Sequence, residues 1–197
     1  DYVRVAERLS DEAGIHAVEV NISCPNIKEG GISFGTRVDL AAQVVGAVRA
    51  ATRLPLLVKL SPNVSDIRPF AKAAAEQGAD AISLVNSFPA MAIDIETRRP
   101  VLANVTGGLS GPAIHPIAVK MVYEAAQVVT IPIVAMGGIV SAREAVEFLI
   151  AGATAVAVGT ATFAEPQTCL RVVEGLEEYL ARHRLASVRN LIRTVRL

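Results

Sequence analysis

The chain has 197 residues, enough for one substantial domain with a core of its own. Its 19 Lys plus Arg balance 19 Asp plus Glu, so it lacks the basic footprint of a nucleic-acid binder. Hydrophobic residues make up 52% and aromatics only 4%. No apolar run approaches the ~18 residues of a membrane helix, and an Ala/Val/Ile/Leu-rich surplus suits strands covered by helices.

In chain order, residues 4–13 read as the tail of a helix and 17–23 as a strand. A loop rich in Gly, Pro and Asn follows from Cys24 to Arg37. Helical spacing of Val38, Ala41, Ala42, Val45 and Val48 predicts a helix over 38–52. Pro55 opens a strand over 56–60. Ser65 and Asp66 offer capping chemistry for a helix over 66–77, which Gly78 ends. A strand over 81–86 precedes a long connection, 87–113, which holds a small hairpin of 92–95 with 101–105 around Thr97-Arg98-Arg99-Pro100. Connections of that length are usually functional. A helix over 114–129, a strand over 131–136, a helix over 141–151 and a strand over 153–158 continue the alternation. Helices near 167–182 and 187–195 close it. From Arg182 to Arg196 there are five Arg and no acid, read as a solvated basic face.

About five strand-then-helix units in strict alternation predict a parallel sheet with right-handed crossovers. Parity selects the architecture. Glu19, Asn21 and Ser23 share one face of the first strand, while Val18, Val20 and Ile22 share the other. Polar residues at a strand's C-terminal end suit the mouth of a TIM (β/α)8 barrel. The fold class is therefore α/β, with 1–197 a single partial barrel domain representing about the last five βα units. Roughly three units are expected to lie upstream of Asp1.

The segment Asn21-Ile-Ser-Cys-Pro-Asn26, followed by Lys28-Glu-Gly-Gly31 and Phe34-Gly35, delivers a polar strand end into a glycine-rich loop carrying a thiol. A thiolate there is a competent base if its pKa, ordinarily about 8.5, lies near the working pH. Cys169, in a predicted helix, reads instead as core packing. Two cysteines in such unlike contexts give no disulfide framework, and an intracellular, reducing compartment follows as the default. Lys59 ends an otherwise apolar strand, where its charge needs a partner. Asn86 and Ser87 end the next strand, either as turn formers or as ligand contacts. Met136-Gly137-Gly138-Ile139 and Val158-Gly159-Thr160 end the last two strands. Loops after the last two barrel strands commonly grip phosphate through backbone N–H groups, which glycine lets an anion approach. Neither G-x-G-x-x-G nor a Walker-type loop is present. His16, His115 and His183 show no ligand spacing, so no metal is expected.

Together these segments resemble the class 1 dihydroorotate dehydrogenases over essentially the whole chain. The stretch from Met91 to Pro100 and on through Ala103-Asn-Val-Thr-Gly-Gly108 is similar to class 1B in particular. The resemblance implies FMN-dependent oxidation of dihydroorotate to orotate in pyrimidine biosynthesis, with Cys24 as the base. It implies that Asn21 touches flavin and substrate, and Asn26 the substrate. Lys59 would stand beside the flavin, Val85 and Gly111 would meet the cofactor through backbone, and Asn86 and Ser87 would hold the pyrimidine ring. Gly137, Gly138, Gly159 and Thr160 are assigned to the FMN phosphate. An electron-transfer subunit carrying FAD and a 2Fe–2S cluster, with NAD as acceptor, is implied as partner. This chain has too few cysteines to hold the cluster itself. A cytoplasmic homo-oligomer is expected, with neither membrane nor nucleic acid as partner.

Two other readings compete. A phosphate-binding barrel acting as an isomerase or lyase on phosphorylated sugars would explain the glycines but leave Cys24, Lys59 and Asn86 idle. A partial barrel without activity of its own is the third reading, and it predicts negligible turnover by the 197-residue chain alone.

Overall fold

The structure is a computed structural model and describes residues 1–23 and 34–196. Helix α1 (Tyr2–Ser10) leads to strand β1 (Val18–Asn21). Helix α2 (Val38–Ala51) buries Ala41, Val45 and Val48, a stripe at helical spacing, and precedes β2 (Leu56–Lys59). Helix α3 (Arg68–Glu76) ends at Gly78, whose φ of +88° is open to glycine without steric cost, and β3 (Ala81–Leu84) follows. An excursion then carries the short strands β4 (Phe88–Ala90), β5 (Ile93–Asp94), β6 (Arg99–Pro100) and β7 (Gly107–Leu109). A 3-10 turn, Pro112–Ile114, runs into α4 (His115–Ala126), then β8 (Ile133–Met136), α5 (Ala142–Ala151) and β9 (Ala155–Ala157). The chain finishes with α6 (Ala161–Ala164), α7 (Thr168–His183) and a 3-10 turn, Val188–Leu191.

The main sheet is five-stranded and wholly parallel, in the order β1-β2-β3-β8-β9. Its order never reverses along the chain. Right-handed crossovers in a monotonic order place every helix on one face, the wall of a barrel rather than a doubly wound sheet. The helices accordingly form one layer, with α2 against α1 and α3, α4 against α3 and α5, and α5 against α7.

The core lies between that layer and the sheet's outer face. Val18, Val20, Leu56, Val58, Ile82, Leu84, Ile133 and Ala135 are buried there against Val45, Val48, Ile67, Val122 and Phe148. Each large side chain so buried contributes about 1.5–3 kcal/mol, against about 0–1 kcal/mol for an exposed ion pair, so this layer holds the fold. The inner face carries Glu19, Asn21, Leu57, Lys59, Ser83, Val134 and Met136, and the Ser83 hydroxyl donates to Glu19 Oε1 at 2.5 Å. The parity read from the first strand is the parity observed.

Several elements differ from the sequence expectation. The hairpin pairs Ile93 with Pro100 and Asp94 with Arg99, so its second arm lies earlier than 101–105. The Asp94 carboxylate takes the N–H groups of Glu96 and Thr97, which closes the turn sooner. The β4–β7 pairing, Phe88 with Leu109 and Ala90 with Gly107, was not anticipated, because its partners stand far apart in sequence and two are glycines. Helix α3 starts at Arg68 rather than 66, since Asp66 Oδ1 accepts the Arg68 N–H at 3.0 Å and bends the chain just before the helix. The segment expected as a helix over 187–195 is a four-residue 3-10 turn with a capping box of Ser187 and Asn190. Arg193 there is not merely solvated, for its guanidinium donates to the Val129 carbonyl at 2.7 Å.

Cys169 is exposed, which overturns its reading as a core residue. The buried positions of α7 are Thr168 and Val172, four residues apart. One residue further on, ~100° around the helix, Cys169 turns out with Leu170 and Val173, both of them exposed. Among the described residues, no helix is long and apolar enough to cross a membrane.

Candidate functional site

The parallel strands all point their C-terminal ends to one rim, and the polar residues read from the sequence gather there. Asn21 ends β1 in register with Lys59, which ends β2, and Lys59 is in turn in register with Ser83 of β3. Val85, Asn86 and Ser87 leave the end of β3 through a cis Leu84–Val85 peptide, and the Val85 N–H donates to the Met136 carbonyl at 3.0 Å. The turns Gly137-Gly138 and Gly159-Thr160 follow β8 and β9. The excursion returns through β7, which brings Ser110 and Gly111 over the same rim. There the Thr160 hydroxyl donates to Ser110 Oγ at 2.7 Å.

A cleft of about 380 Å³ lies at this rim. Its lining includes Lys59, Val85, Asn86, Ser87, Gly111, Gly137, Gly138, Gly159 and Thr160, nine of the residues singled out in the sequence. Asn21 is outside that lining but joined to it. Its Oδ1 accepts from the Ser23 hydroxyl at 2.8 Å, and Ser23 Oγ accepts from Asn86 Nδ2 at 2.8 Å. Asn86 Oδ1 takes the Ser87 N–H at 2.8 Å, so the relay fixes the orientation of the Asn86 amide at the cleft. Cys24 and Asn26 lie outside the described residues.

The electrostatics are simple. Lys59 is half-buried, and among the described residues its ammonium has no ion pair or hydrogen bond. A desolvated cation without a carboxylate favours an anionic or electron-rich occupant. At the other end, the amide N–H groups of Gly138, Gly159 and Thr160 find no acceptor among the described residues. Above Gly159 a Cβ would meet nothing within 4 Å, so the backbone is open to an approaching anion. Gly138 is glycine for a different reason. Its φ is +72°, and a Cβ would lie 2.8 Å from the Gly111 carbonyl oxygen and 2.8 Å from His115 Cβ. Between the cation and the amides the walls are Val85, Ile114, Met136, Ala157 and Val158. Apolar walls with polar groups at both ends suit a flat amphipathic ligand with an anionic tail.

Residues that the sequence left without a site role belong to the same rim. Ser23, read only as part of the first strand's polar face, is fully buried at the centre of the relay. Asn63 donates to Ser61 Oγ at 3.3 Å and to the Ser87 carbonyl at 3.4 Å, bracing the loop after β3. A signal for it exists: Ser61-Pro62-Asn63 follows β2 much as Ser23-Cys24-Pro25-Asn26 follows β1. His115, set aside as lacking ligand spacing, is buried and bonded to Gly137, and nothing in its local sequence announces that.

Comparison with known proteins gives a consistent picture. The family model for dihydroorotate dehydrogenase matches residues 1–180. The catalytic subunit of dihydroorotate dehydrogenase B (NAD(+)) from Geobacter sp. (strain M21) is 53% identical over 197 residues, which is 100% of this chain and 65% of that protein. The subunit of the same description from Trichlorobacter lovleyi is 54% identical over 192 residues, covering 98% of this chain and 63% of that one. The chain thus spans just under two thirds of the length of these relatives. Among solved structures, DHODH from Eimeria tenella in complex with ferulenol superposes with a TM-score of 0.82 at 24% identity, over 98% of this chain and 57% of that one. That superposition supports the partial-barrel architecture.

Proposed function

The chain belongs to the dihydroorotate dehydrogenase family, and from that premise we propose that it supplies the FMN- and substrate-binding rim for the oxidation of dihydroorotate to orotate. The observation that carries this reading is the convergence of Lys59, Asn86, Ser87 and three glycine-bearing loops on one cleft. The residues fit FMN by the chemistry of their donors: an ammonium without an ion pair among the described residues for the ring's electron-rich edge, and backbone amides without an acceptor among them for the phosphate. When bound, FMN would supply the two-electron acceptor that takes hydride from C6 of the substrate.

Each residue then has a defined task. Lys59 holds a positive charge where negative charge gathers, the kind of preorganised electrostatic aid that costs no rearrangement during reaction. Gly111, Gly137, Gly138, Gly159 and Thr160 seat the phosphate, and Val85 contacts the cofactor through its backbone. Asn21 serves cofactor and substrate, while Asn86 and Ser87 orient the pyrimidine ring by donating and accepting along its edge. Cys24, three residues after Asn21 in the sequence, takes the proton from C5 as thiolate. Electrons leave to NAD through a separate subunit bearing FAD and a 2Fe–2S cluster, in keeping with the relatives' description as catalytic subunits of an NAD(+) enzyme. A cytoplasmic setting and a homo-oligomer go with this reading.

The test is spectroscopic. The intact protein is expected to purify yellow with FMN and to bleach when dihydroorotate is added without acceptor. Cys24→Ala is expected to keep the FMN but lose about 10²–10⁴-fold in the rate of bleaching, the usual scale for a positioned base. A colourless protein that binds no flavin would end the proposal. Near-wild-type bleaching by Cys24→Ala at every pH would remove Cys24 as the base.

A further inference from the structure

His115 opens α4 and is 8% exposed, yet its side chain serves nothing in the chemistry described so far. Its ring is held at both nitrogens by two different elements. Nδ1 lies 2.9 Å from the Gly137 carbonyl oxygen, and Nε2 lies 2.9 Å from Glu147 Oε2 on α5. Phe148, also on α5, meets the ring edge-on at 4.9 Å between centroids. A carbonyl oxygen only accepts, so Nδ1 donates to Gly137. The carboxylate is an acceptor as well, and both bonds coexist when both nitrogens carry protons. Arg143 faces the far oxygen of Glu147 at 3.4 Å and keeps that carboxylate in place.

The consequence lies in the next bond of the backbone. The Gly137–Gly138 peptide is planar and trans, so its carbonyl and its N–H point to opposite sides. Fixing the Gly137 oxygen on His115 therefore fixes the Gly138 N–H on the opposite side. That N–H has no acceptor among the described residues, and Gly138 lines the cleft. A Cβ at Gly138 would collide with His115 Cβ and the Gly111 carbonyl oxygen, each at 2.8 Å, so the turn lies close against the residue that holds its carbonyl. We propose that His115, braced by Glu147, is a positioning residue that holds the Gly138 N–H toward the phosphate of the flavin, and so sets preference for the phosphorylated cofactor. This rests on the flavin reading of the cleft given above.

FMN and riboflavin differ by the phosphate alone, so their affinities separate positioning from general integrity. Both are titrated into flavin-free intact protein as wild type, His115→Asn and His115→Gln. Asparagine places its amide nitrogen where Nδ1 sits and keeps the bond to Gly137. Glutamine reaches the position of Nε2 and serves Glu147 alone. The Gln protein is expected to lose about tenfold of the preference for FMN over riboflavin, the scale of one orienting hydrogen bond, with riboflavin affinity unchanged. The Asn protein is expected to stay within about threefold of wild type. Equal preference in all three proteins, or a parallel loss for both ligands, overturns the proposal. If His115→Gln does not fold, Glu147→Leu removes the brace instead, and an undiminished preference there overturns it equally. A wild type that binds both flavins alike would overturn the phosphate reading of the cleft itself, and this inference with it.

Discussion

Lys59 ends a strand whose other members, Leu56, Leu57 and Val58, are wholly apolar, and it lines the cleft without an ion pair among the described residues. A half-buried ammonium without an ion pair among the described residues is placed to meet an anionic or electron-rich ligand. At ~4 Å from a negative charge near a protein surface, such a cation is worth at most about 4 kcal/mol. Lys59→Met keeps the length and removes the charge. It is expected to make the bound flavin's midpoint potential more negative and to slow its reduction by about 10–100-fold, well inside that ceiling. An unchanged potential and rate would show that the ammonium only snorkels to solvent. Lys59 and Asn86 were legible in the sequence because each is a polar residue at the end of an apolar strand. Ser23, Asn63 and His115 were not. Ser23 owes its role to Asn21 and Asn86, 63 residues apart from it in the latter case, and His115 to a carbonyl 22 residues away. Side-chain chemistry shows a candidate on its own, whereas a brace is defined only by what the fold brings against it.

Elements followed the same division. Strands and helices of the main sheet carry their own periodicity, so Val45 and Val48 face the core as their spacing requires, and Glu19 with Asn21 faces away from it. The excursion after β3 has no such periodicity. Its β4–β7 pairing runs through Gly107 and Gly108, where a Cβ would collide with the Leu102 side chain and with Ser87 respectively. The helix best specified by local sequence is α5. Ser141 Oγ accepts the Arg143 N–H at 3.2 Å, Glu144 Oε2 accepts the Ser141 N–H at 2.8 Å, and Gly152 ends the helix. This helix also carries Glu147 and Phe148, so its cap lies upstream of the brace on His115. Ser141→Ala is expected to cost about 1 kcal/mol of stability in chemical denaturation, the usual value of a lost cap. FMN affinity should change far less, since the cap's hydrogen bonds among the described residues run to Arg143 and Glu144, neither of which lines the cleft. A loss of flavin binding as large as the loss of stability would mean that the first turn of α5 helps to shape the cleft.

At the scale of the whole molecule, stability and the candidate site sit on different surfaces: apolar burial lies between sheet and helices, and the cleft's polar residues line the rim. Charge connects the two only through pH. The chain is balanced at neutrality, with 19 basic and 19 acidic side chains, so protonating the acids leaves the 19 cations unopposed. Among the described residues, four carboxylates are held below the ordinary range in the folded state. Asp39 is lowered by its bond with Arg37, Asp66 by Arg68, and Asp94 by the N–H groups of Thr97 and Glu96. Burial pushes Glu144 up, but the Ser141 hydroxyl and the backbone N–H groups of Ser141, Glu144 and Val140 together outweigh it, and the net direction is down. A group lowered on folding stabilises the native state above its unfolded pKa and loses that contribution as pH falls through the folded value. Unfolded Asp and Glu titrate near 4, so the melting temperature is expected to be flat from neutrality to about pH 5 and to fall below about pH 4. Added salt should blunt the contribution of the exposed Asp39 and Asp66 pairs, through screening, more than that of Glu144 within its capping box. Thermal melts of wild type and Glu144→Gln at low and high salt measure both effects. The Gln variant keeps an acceptor for the Ser141 N–H but cannot titrate, so its melting temperature should fall less steeply with acid. A melting temperature that rose as pH dropped below 4, or an acid response identical in the two proteins, would contradict the direction assigned to these carboxylates.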